Sequence, residues 1–143
     1  MVDKSFLLPV MGLVLWTFVI WAWMYATRLP AMRAAKMRPD PQAPRGEQMA
    51  KLPARVRWKA DNYNHLMEQP TLFYAVALVV ALVGKGSGVD LALAWGYVGL
   101  RVVHSLVQTL INKIEVRFVL FSLSSLLLLL ALAVRAALML LAG

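Results

Sequence analysis

Apolar residues fall into long runs along the chain, and each run is long enough to form a helix across a bilayer. About 20 consecutive apolar residues cross the roughly 30 Å of hydrocarbon in a membrane. The first run holds 23 residues without a formal charge. The pattern predicts one membrane domain over residues 1–143, with four transmembrane helices at about 5–27, 64–84, 90–111 and 116–141.

The first run has the properties of an uncleaved transmembrane helix. The apolar core of a signal peptide holds about 7–15 residues and precedes a cleavage site flanked by small residues. This run is longer, and it ends in Trp21, Trp23 and Tyr25. Aromatic side chains of this kind collect where a helix meets the membrane–water interface. We therefore expect residues 5–27 to stay in the mature protein as a membrane span.

The segment from residue 28 to 63 has a different composition. It contains five prolines, nine Lys/Arg and three Asp/Glu, which is typical of a partly extended loop that turns helical toward residues 55–64. Short polar turns at Lys85–Gly88 and Asn112–Glu115 join the later spans and make them antiparallel neighbours. The predicted fold is all-α: a four-helix integral membrane bundle with one long basic loop.

Composition excludes several classes of protein. Hydrophobic residues make up 61% of the chain and charged residues 15%, with a mean hydropathy of +0.67. Soluble domains have about 45–50% apolar and about 25% charged residues. An ordinary soluble enzyme and a disordered tail are thereby excluded. The chain has no cysteine, so it forms no disulfide and offers no thiolate to a metal. Any thiol chemistry must use a thiol from a ligand.

The net charge of +8 is distributed unevenly. Nine Lys/Arg lie in the loop and two in the turn Asn112–Arg117, whereas Lys4 and Lys85 lie at the other side. Cytoplasmic loops of membrane proteins carry an excess of Lys/Arg. The bias predicts a cytoplasmic loop and two non-cytoplasmic termini. A basic loop attracts anionic lipid headgroups, so the charge requires no nucleic-acid partner.

A polar stripe crosses the third predicted span. Its members follow the spacing i, i+3, i+7 and i+11, which places them on one helix face: Arg101, His104, Gln108 and Asn112. An arginine at the centre of a membrane helix costs about 2.5–3.5 kcal/mol on insertion scales, so it normally faces a bundle interior or a cavity.

The stripe has two interpretations. It could bond neighbouring helices, with Arg101 paired to Glu68. It could instead line a pocket for an anionic ligand, together with Asn64, Glu68 and Arg117. Cationic groups outnumber the single glutamate in this set, which favours the ligand pocket.

These segments together resemble the MAPEG family, the membrane-associated proteins of eicosanoid and glutathione metabolism, and its bacterial members in particular. The resemblance rests on the span order, the basic first loop, Asn64 and Glu68 before Pro70, Arg101-Val-Val-His104, and Arg117-Phe118 at the fourth span. It implies a homotrimer in the bacterial inner membrane, with glutathione bound between subunits near the cytoplasmic face. It also implies conjugation or isomerisation of lipophilic electrophiles, or reduction of lipid hydroperoxides.

Individual site residues follow from the resemblance. The arginine that stabilises the glutathione thiolate in the family matches Arg117. Other residues of the family's glutathione site match Arg57, Asn64, Arg101 and His104, and Glu68 and Gln108 stand at or beside two further positions of that site.

Four positions depart from the family pattern. An arginine usually precedes the asparagine by four residues, where this chain has Ala60. Two tyrosines of the family correspond to Gln108 and Phe121. Glu68 also follows Asn64 by four residues instead of three. These departures remove two hydroxyl donors from the predicted site.

The resemblance therefore implies a membrane protein that binds glutathione or a similar anionic thiol, with transferase or peroxidase activity on lipophilic small molecules as the enzyme function open to it. A non-catalytic member of the same fold is the alternative, binding lipid or serving as a subunit of a larger complex. A small multidrug exporter is disfavoured because residues 5–27 contain no acidic residue. We expect no metal site, since the two histidines lie on different spans without a carboxylate cluster.

Overall fold

The computed structural model describes residues 1–142, apart from the side chain of Leu127. Every regular element in this part of the chain is helical. A 3₁₀ turn at Lys4–Phe6 comes first, and a π-helical segment at Leu123–Leu129 lies within the last helical rod. The α-helices are α1 (Leu7–Ala34), α2 (Glu47–Ala50), α3 (Ala54–Glu68), α4 (Pro70–Val83), α5 (Gly88–Leu110), α6 (Ile114–Ser122) and α7 (Leu130–Leu141).

The helices form four rods, and the predicted all-α membrane fold is confirmed. Three rods are long and apolar enough to cross a membrane: Lys4–Ala34, Ala54–Val83 and Ile114–Leu141. The fourth rod, α5, has 23 residues, which is also sufficient length, but its polar stripe makes it less apolar than the others. The long loop and the turn at residues 111–113 lie at one end of the bundle, called here the basic end. The N-terminus and the turn at residues 84–87 lie at the other, the far end.

One rod extends further into the loop than the sequence pattern predicts. α1 continues past Thr27 to Ala34 and passes through Pro30. α3 begins at Ala54, which agrees with the helix predicted toward residues 55–64. Pro30 lacks an N–H group, so the carbonyl of Ala26 loses its helical partner. Both residues are exposed, and water can replace that bond. The irregular part of the loop is therefore confined to residues 35–53, around the short helix α2.

α3 and α4 run on as one rod although Pro70 separates them. Gln69 has φ −65° and ψ −36°, which is helical geometry, so the rod does not end there. Proline is well tolerated in the first turn of a helix because the N–H it lacks would have no partner. Gly84 ends the rod with φ +66°, a conformation that suits glycine, and its backbone lies against that of Met1.

The core lies between the rods, and the outer surface is apolar as well. The buried side chains of the core include an aromatic pair, Phe73 and Tyr97, whose ring centroids are 4.7 Å apart. Ala77 and Ala94 are also buried, and small residues of this kind allow membrane helices to approach closely. Large apolar side chains such as Leu72, Leu82 and Leu126 are exposed on the outside of the bundle. This arrangement fits a bundle surrounded by lipid.

Candidate functional site

Polar side chains connect α3 and α5 along their length near the basic end. Asn62 donates to the side-chain oxygen of Gln108 at 2.9 Å. One turn further on, the rings of His65 and His104 lie with centroids 5.0 Å apart. At the next turn, the hydroxyl of Tyr97 donates to Gln69 at 3.1 Å. The two helices are antiparallel, so residue numbers rise along α3 while those of its partners on α5 fall.

Arg101 lies within this polar contact and is fully buried. Its Nη2 donates to the backbone carbonyl of His65 at 3.3 Å. The guanidinium carbon lies 5.8 Å from the ring centroid of Phe121 and 6.0 Å from that of Tyr97. Its Nε and Nη1 are buried without a hydrogen-bond partner among the described residues. Burial of a cation without a paired carboxylate is costly, so an anion at this position would stabilise the fold.

A cleft opens beside Arg101 at the basic end. Its volume is about 310 Å³. We call it the Arg–His cleft, and its walls are His65, His104, Ile114, Arg117, Phe118 and Phe121. Phe121 packs on His65 with ring centroids 5.3 Å apart, and its other neighbour is the guanidinium of Arg101, 5.8 Å from the ring centroid.

Arg117 forms the basic wall of the Arg–His cleft from the first turn of α6. Its Nη1 donates to the side-chain oxygen of Asn112 at 2.7 Å. Its Nε is buried and has no partner among the described residues, and the same holds for Nδ1 of His104. Two residues that line the cleft thus each have a buried nitrogen atom without a hydrogen-bond partner among the described residues.

Acidic groups do not balance these cations. The side chain of Glu68 is 73% exposed, and its carboxylate lies 3.8 Å from Nδ1 of His65. In the described part of the chain, Arg101 and Arg117 have no ion pair. The pairing of Arg101 with Glu68 that one interpretation of the sequence predicts is therefore absent.

Arg57 and Asn64 lie on another side of α3. They line a separate cleft of about 290 Å³, called here the loop cleft. Its other walls come from the end of α1, the loop and α3: Arg28, Gly46, Met49, Ala50, Ala60 and Asp61. Successive residues of a helix are rotated by about 100°, so Asn64 points away from α5 whereas Asn62 points toward it.

The predicted site residues are thus distributed over distinct surroundings. Arg117 and His104 line the Arg–His cleft, and Arg101 lies directly behind its aromatic wall. Gln108 is buried against Asn62 and does not line the cleft. Phe121 lines the cleft without a hydroxyl group, and Ala60 lines the loop cleft.

Sequence reasoning missed His65 and Asn62 as members of the polar contact. A signal was present, because Asn62, His65 and Gln69 follow the spacing i, i+3 and i+7 on α3. That spacing matches the stripe on α5 and defines a second polar face toward it. Among the described residues, no group of three or more His, Cys, Asp or Glu is arranged to hold a metal ion.

The rods and the cation-rich cleft define an integral membrane helical bundle with polar chemistry at one end. The family model of the MAPEG family matches residues 6–138, and the chain belongs to that family. The resemblance drawn from the sequence is thereby confirmed. No curated protein and no solved structure matches the chain significantly.

Proposed function

We propose that the protein binds glutathione, or a similar anionic thiol, in the Arg–His cleft and presents it to lipophilic substrates. One observation carries the proposal: two arginines and two histidines lie close together, while the carboxylate beside them, that of Glu68, is exposed. Three of these side chains, Arg101, His104 and Arg117, have buried nitrogen atoms without a hydrogen-bond partner among the described residues. An anionic ligand would supply the missing negative charge. Glutathione has two carboxylates and a thiol, which suits a cation-rich site.

Arg117 is the residue proposed to activate the thiol. A guanidinium beside a thiol favours the charged thiolate and lowers the pKa of the thiol. The thiolate, not the thiol, is the nucleophile. In a conjugation with an aryl halide, the sulfur would form a bond to the ring carbon and the halide would depart as an anion. The chain itself contains no cysteine, so the sulfur comes from the ligand.

The apolar wall of the cleft supports a lipophilic second substrate. Ile114 and Phe118 are largely exposed on the outside of the bundle, and both line the Arg–His cleft. A molecule dissolved in the bilayer could therefore reach a bound thiolate along this wall. Transferase and peroxidase activities both fit such an arrangement, since both combine a thiolate with a lipophilic partner.

Other residues of the predicted glutathione site enter the proposal with different roles. Arg101 and His104 would stabilise the bound anion, and Gln108 would hold α5 against α3 through Asn62. Arg57 and Asn64 line the loop cleft, whereas Glu68 contacts His65 at the edge of the Arg–His cleft without lining it. Arg57 and Asn64 would reach the ligand only from a neighbouring copy, which the proposed homotrimer would supply. We further propose the bacterial inner membrane as its location, with both termini on the non-cytoplasmic side.

Thermal unfolding of the detergent-purified protein tests the binding proposal. A ligand that binds only the folded state stabilises it by RT ln(1 + [L]/Kd), so millimolar glutathione should raise the Tm of the wild type. Arg117→Ala should reduce this shift several-fold. Lys113→Ala is the matched control, because it removes an exposed basic residue at the same end that does not line the cleft. An equal shift in wild type and Arg117→Ala would contradict the assignment.

A second candidate is a non-catalytic protein that binds an anionic lipid headgroup in the same cleft or serves as an accessory subunit. The observation that favours it is chemical: Gln108 is bonded to Asn62, and Phe121 has no hydroxyl. No tyrosine lines the described Arg–His cleft. This candidate predicts no conjugation of an aryl halide with glutathione, and a Tm that rises with anionic phospholipid instead. Turnover that depends on glutathione would exclude it.

A further inference from the structure

The turn between α5 and α6 holds Asn112 in an unusual backbone conformation. Its φ is +54°, in the left-handed region that asparagine and glycine tolerate best. Its N–H donates to the carbonyl of Val107 at 2.6 Å, and the N–H of Ile111 donates to the same oxygen at 3.0 Å. These bonds close the C-terminal end of α5. The backbone of Asn112 is therefore fixed by the cap, independently of its side chain.

The side chain of Asn112 makes one contact that the cap does not require. Its Oδ1 accepts a hydrogen bond from Nη1 of Arg117 at 2.7 Å. Among the described residues, Arg117 donates to no other side-chain acceptor, and its Nε has no partner. The cap fixes the backbone of Asn112 and therefore the position from which its side chain extends. The hydrogen bond from Nη1 of Arg117 to Oδ1 of Asn112 then sets the direction of the guanidinium.

The surroundings of Arg117 would not orient it in this way on their own. It lies in the first turn of α6, where the positive end of the helix dipole repels a cation. The other titratable side chains that line the cleft are His65 from α3 and His104 from α5, and neither is an acid. Glu115 on α6 is exposed and forms no ion pair among the described residues.

An amide is chemically suited to this position. An aspartate could also accept the bond, but its charge would neutralise Arg117. An asparagine orients the guanidinium and leaves its full charge to a ligand, while Nε stays unpartnered.

We propose that Asn112 is a positioning residue for the Arg–His cleft: its side chain holds Arg117 so that the charge of the guanidinium faces a bound anion. The inference rests on the proposed function, because the anion is taken to be the carboxylate or thiolate of a thiol ligand. Asn112 itself need not touch that ligand.

Asn112→Gly is the variant that isolates the side chain. Glycine adopts φ +54° at no cost, so the cap of α5 is retained and the Tm without ligand should fall by no more than the loss of one hydrogen bond explains. Glutathione binding, measured from the Tm over a concentration series, should weaken about tenfold. In Asn112→Gly/Arg117→Ala, binding should be no weaker than in Arg117→Ala alone, because the asparagine acts through the arginine. Binding equal to wild type in Asn112→Gly would overturn the inference.

A ligand-free measurement separates this inference from the proposed function. In protein labelled with ¹⁵N-arginine, the Nε–H of Arg117 should give a resolved, slowly exchanging resonance, identified by its absence in Arg117→Lys. Asn112→Gly should broaden or average that resonance, whereas Lys113→Ala should not. An unchanged resonance in Asn112→Gly would overturn the positioning role. A normal response here, with no glutathione binding by the wild type, would instead overturn the proposed function alone.

Discussion

Two arginines within the membrane-length rods have opposite surroundings, one at each end of the bundle. At the far end, Arg135 forms an ion pair with Asp90 and also donates to Ser87 at 3.2 Å. At the basic end, Arg101 is fully buried with one backbone acceptor and no carboxylate among its described neighbours. The far end is balanced in charge and the basic end is not.

The difference separates a structural contact from a ligand site. Asp90 also caps α5, since it accepts a hydrogen bond from the N–H of Ser87 at 2.8 Å while the Ser87 hydroxyl accepts one from the N–H of Asp90. One buried carboxylate thus joins a helix N-terminus to α7. At the basic end, Arg101 and Arg117 have buried N–H donors without acceptors among the described residues. A bound anion would supply the acceptor and the negative charge that these groups lack.

Breaking the balanced pair should cause the largest loss of stability. Arg135→Met leaves the Asp90 side chain, which is 0% exposed, without a cation. Removal of one partner from a buried ion pair costs about 3–5 kcal/mol, and because Arg135 is 41% exposed we expect about 2–3 kcal/mol. Thermal unfolding in detergent measures the change. Lys85→Met is the control at the same end, and equal stability of the two variants would contradict the structural role of the pair.

The same substitution at the unbalanced arginine should have the opposite sign. Arg101→Met removes a buried cation that lacks a carboxylate, so the ligand-free protein should gain about 1–2 kcal/mol of unfolding free energy. Glutathione should then shift its Tm less than it shifts that of the wild type. A destabilisation as large as that of Arg135→Met would show that Arg101 is structural, and would remove the basis of the comparison.

A pair of asparagines on α3 tests which helix face belongs to the polar contact. Asn62→Ala leaves buried Gln108 without its partner and should cost about 1 kcal/mol. Asn64→Ala changes an exposed residue two positions later and should stay within about 0.5 kcal/mol of the wild type. Chemical or thermal unfolding of both variants in the same detergent decides the matter. A larger loss in Asn64→Ala would contradict the orientation of α3.

The smallest expected effect concerns the cap at the far end. Ser87→Ala removes the hydroxyl that accepts from the N–H of Asp90 and should cost about 0.5–1 kcal/mol. Ser87→Gly should cost only a few tenths of a kcal/mol. The Arg135–Asp90 pair should survive both changes, so neither variant should approach the loss in Arg135→Met. A loss in Ser87→Ala as large as that in Arg135→Met would show that the cap and the ion pair cannot be separated.

The sequence predicted the fold well because membrane helices follow from simple length and polarity rules. Long uncharged runs indicate helices directly, and the family match over residues 6–138 agrees. The end of α1 was less predictable, because this helix continues into polar sequence where no hydrophobic pattern marks a helix. The helical geometry at Gln69 and across Pro30 depends on which carbonyls reach water, and composition does not report that.

The site was predictable on α5 and less so on α3. The stripe on α5 stands out because its opposite face is apolar, so Arg101 and His104 were assigned to the interior. On α3, polar residues occupy several faces near the basic end, and Asn62 and Asn64 cannot be distinguished by type. Which of the two asparagines faces α5 depends on the rotation of α3 about its axis, and packing against α5 sets that rotation. The role of Asn112 depends on one backbone conformation that the sequence permits but does not require.

The most direct test of the central claim is the pKa of the thiol of bound glutathione. Thiolate formation can be followed by its ultraviolet absorbance during a pH titration of the protein–ligand complex in detergent. In the wild type, the thiol should have a pKa below the value of about 8.5 that is usual for a free cysteine thiol. In Arg117→Ala, the pKa of any glutathione still bound should return toward that value, because the adjacent cation is gone. A wild-type pKa equal to that of free glutathione would contradict the claim that the cleft stabilises a thiolate.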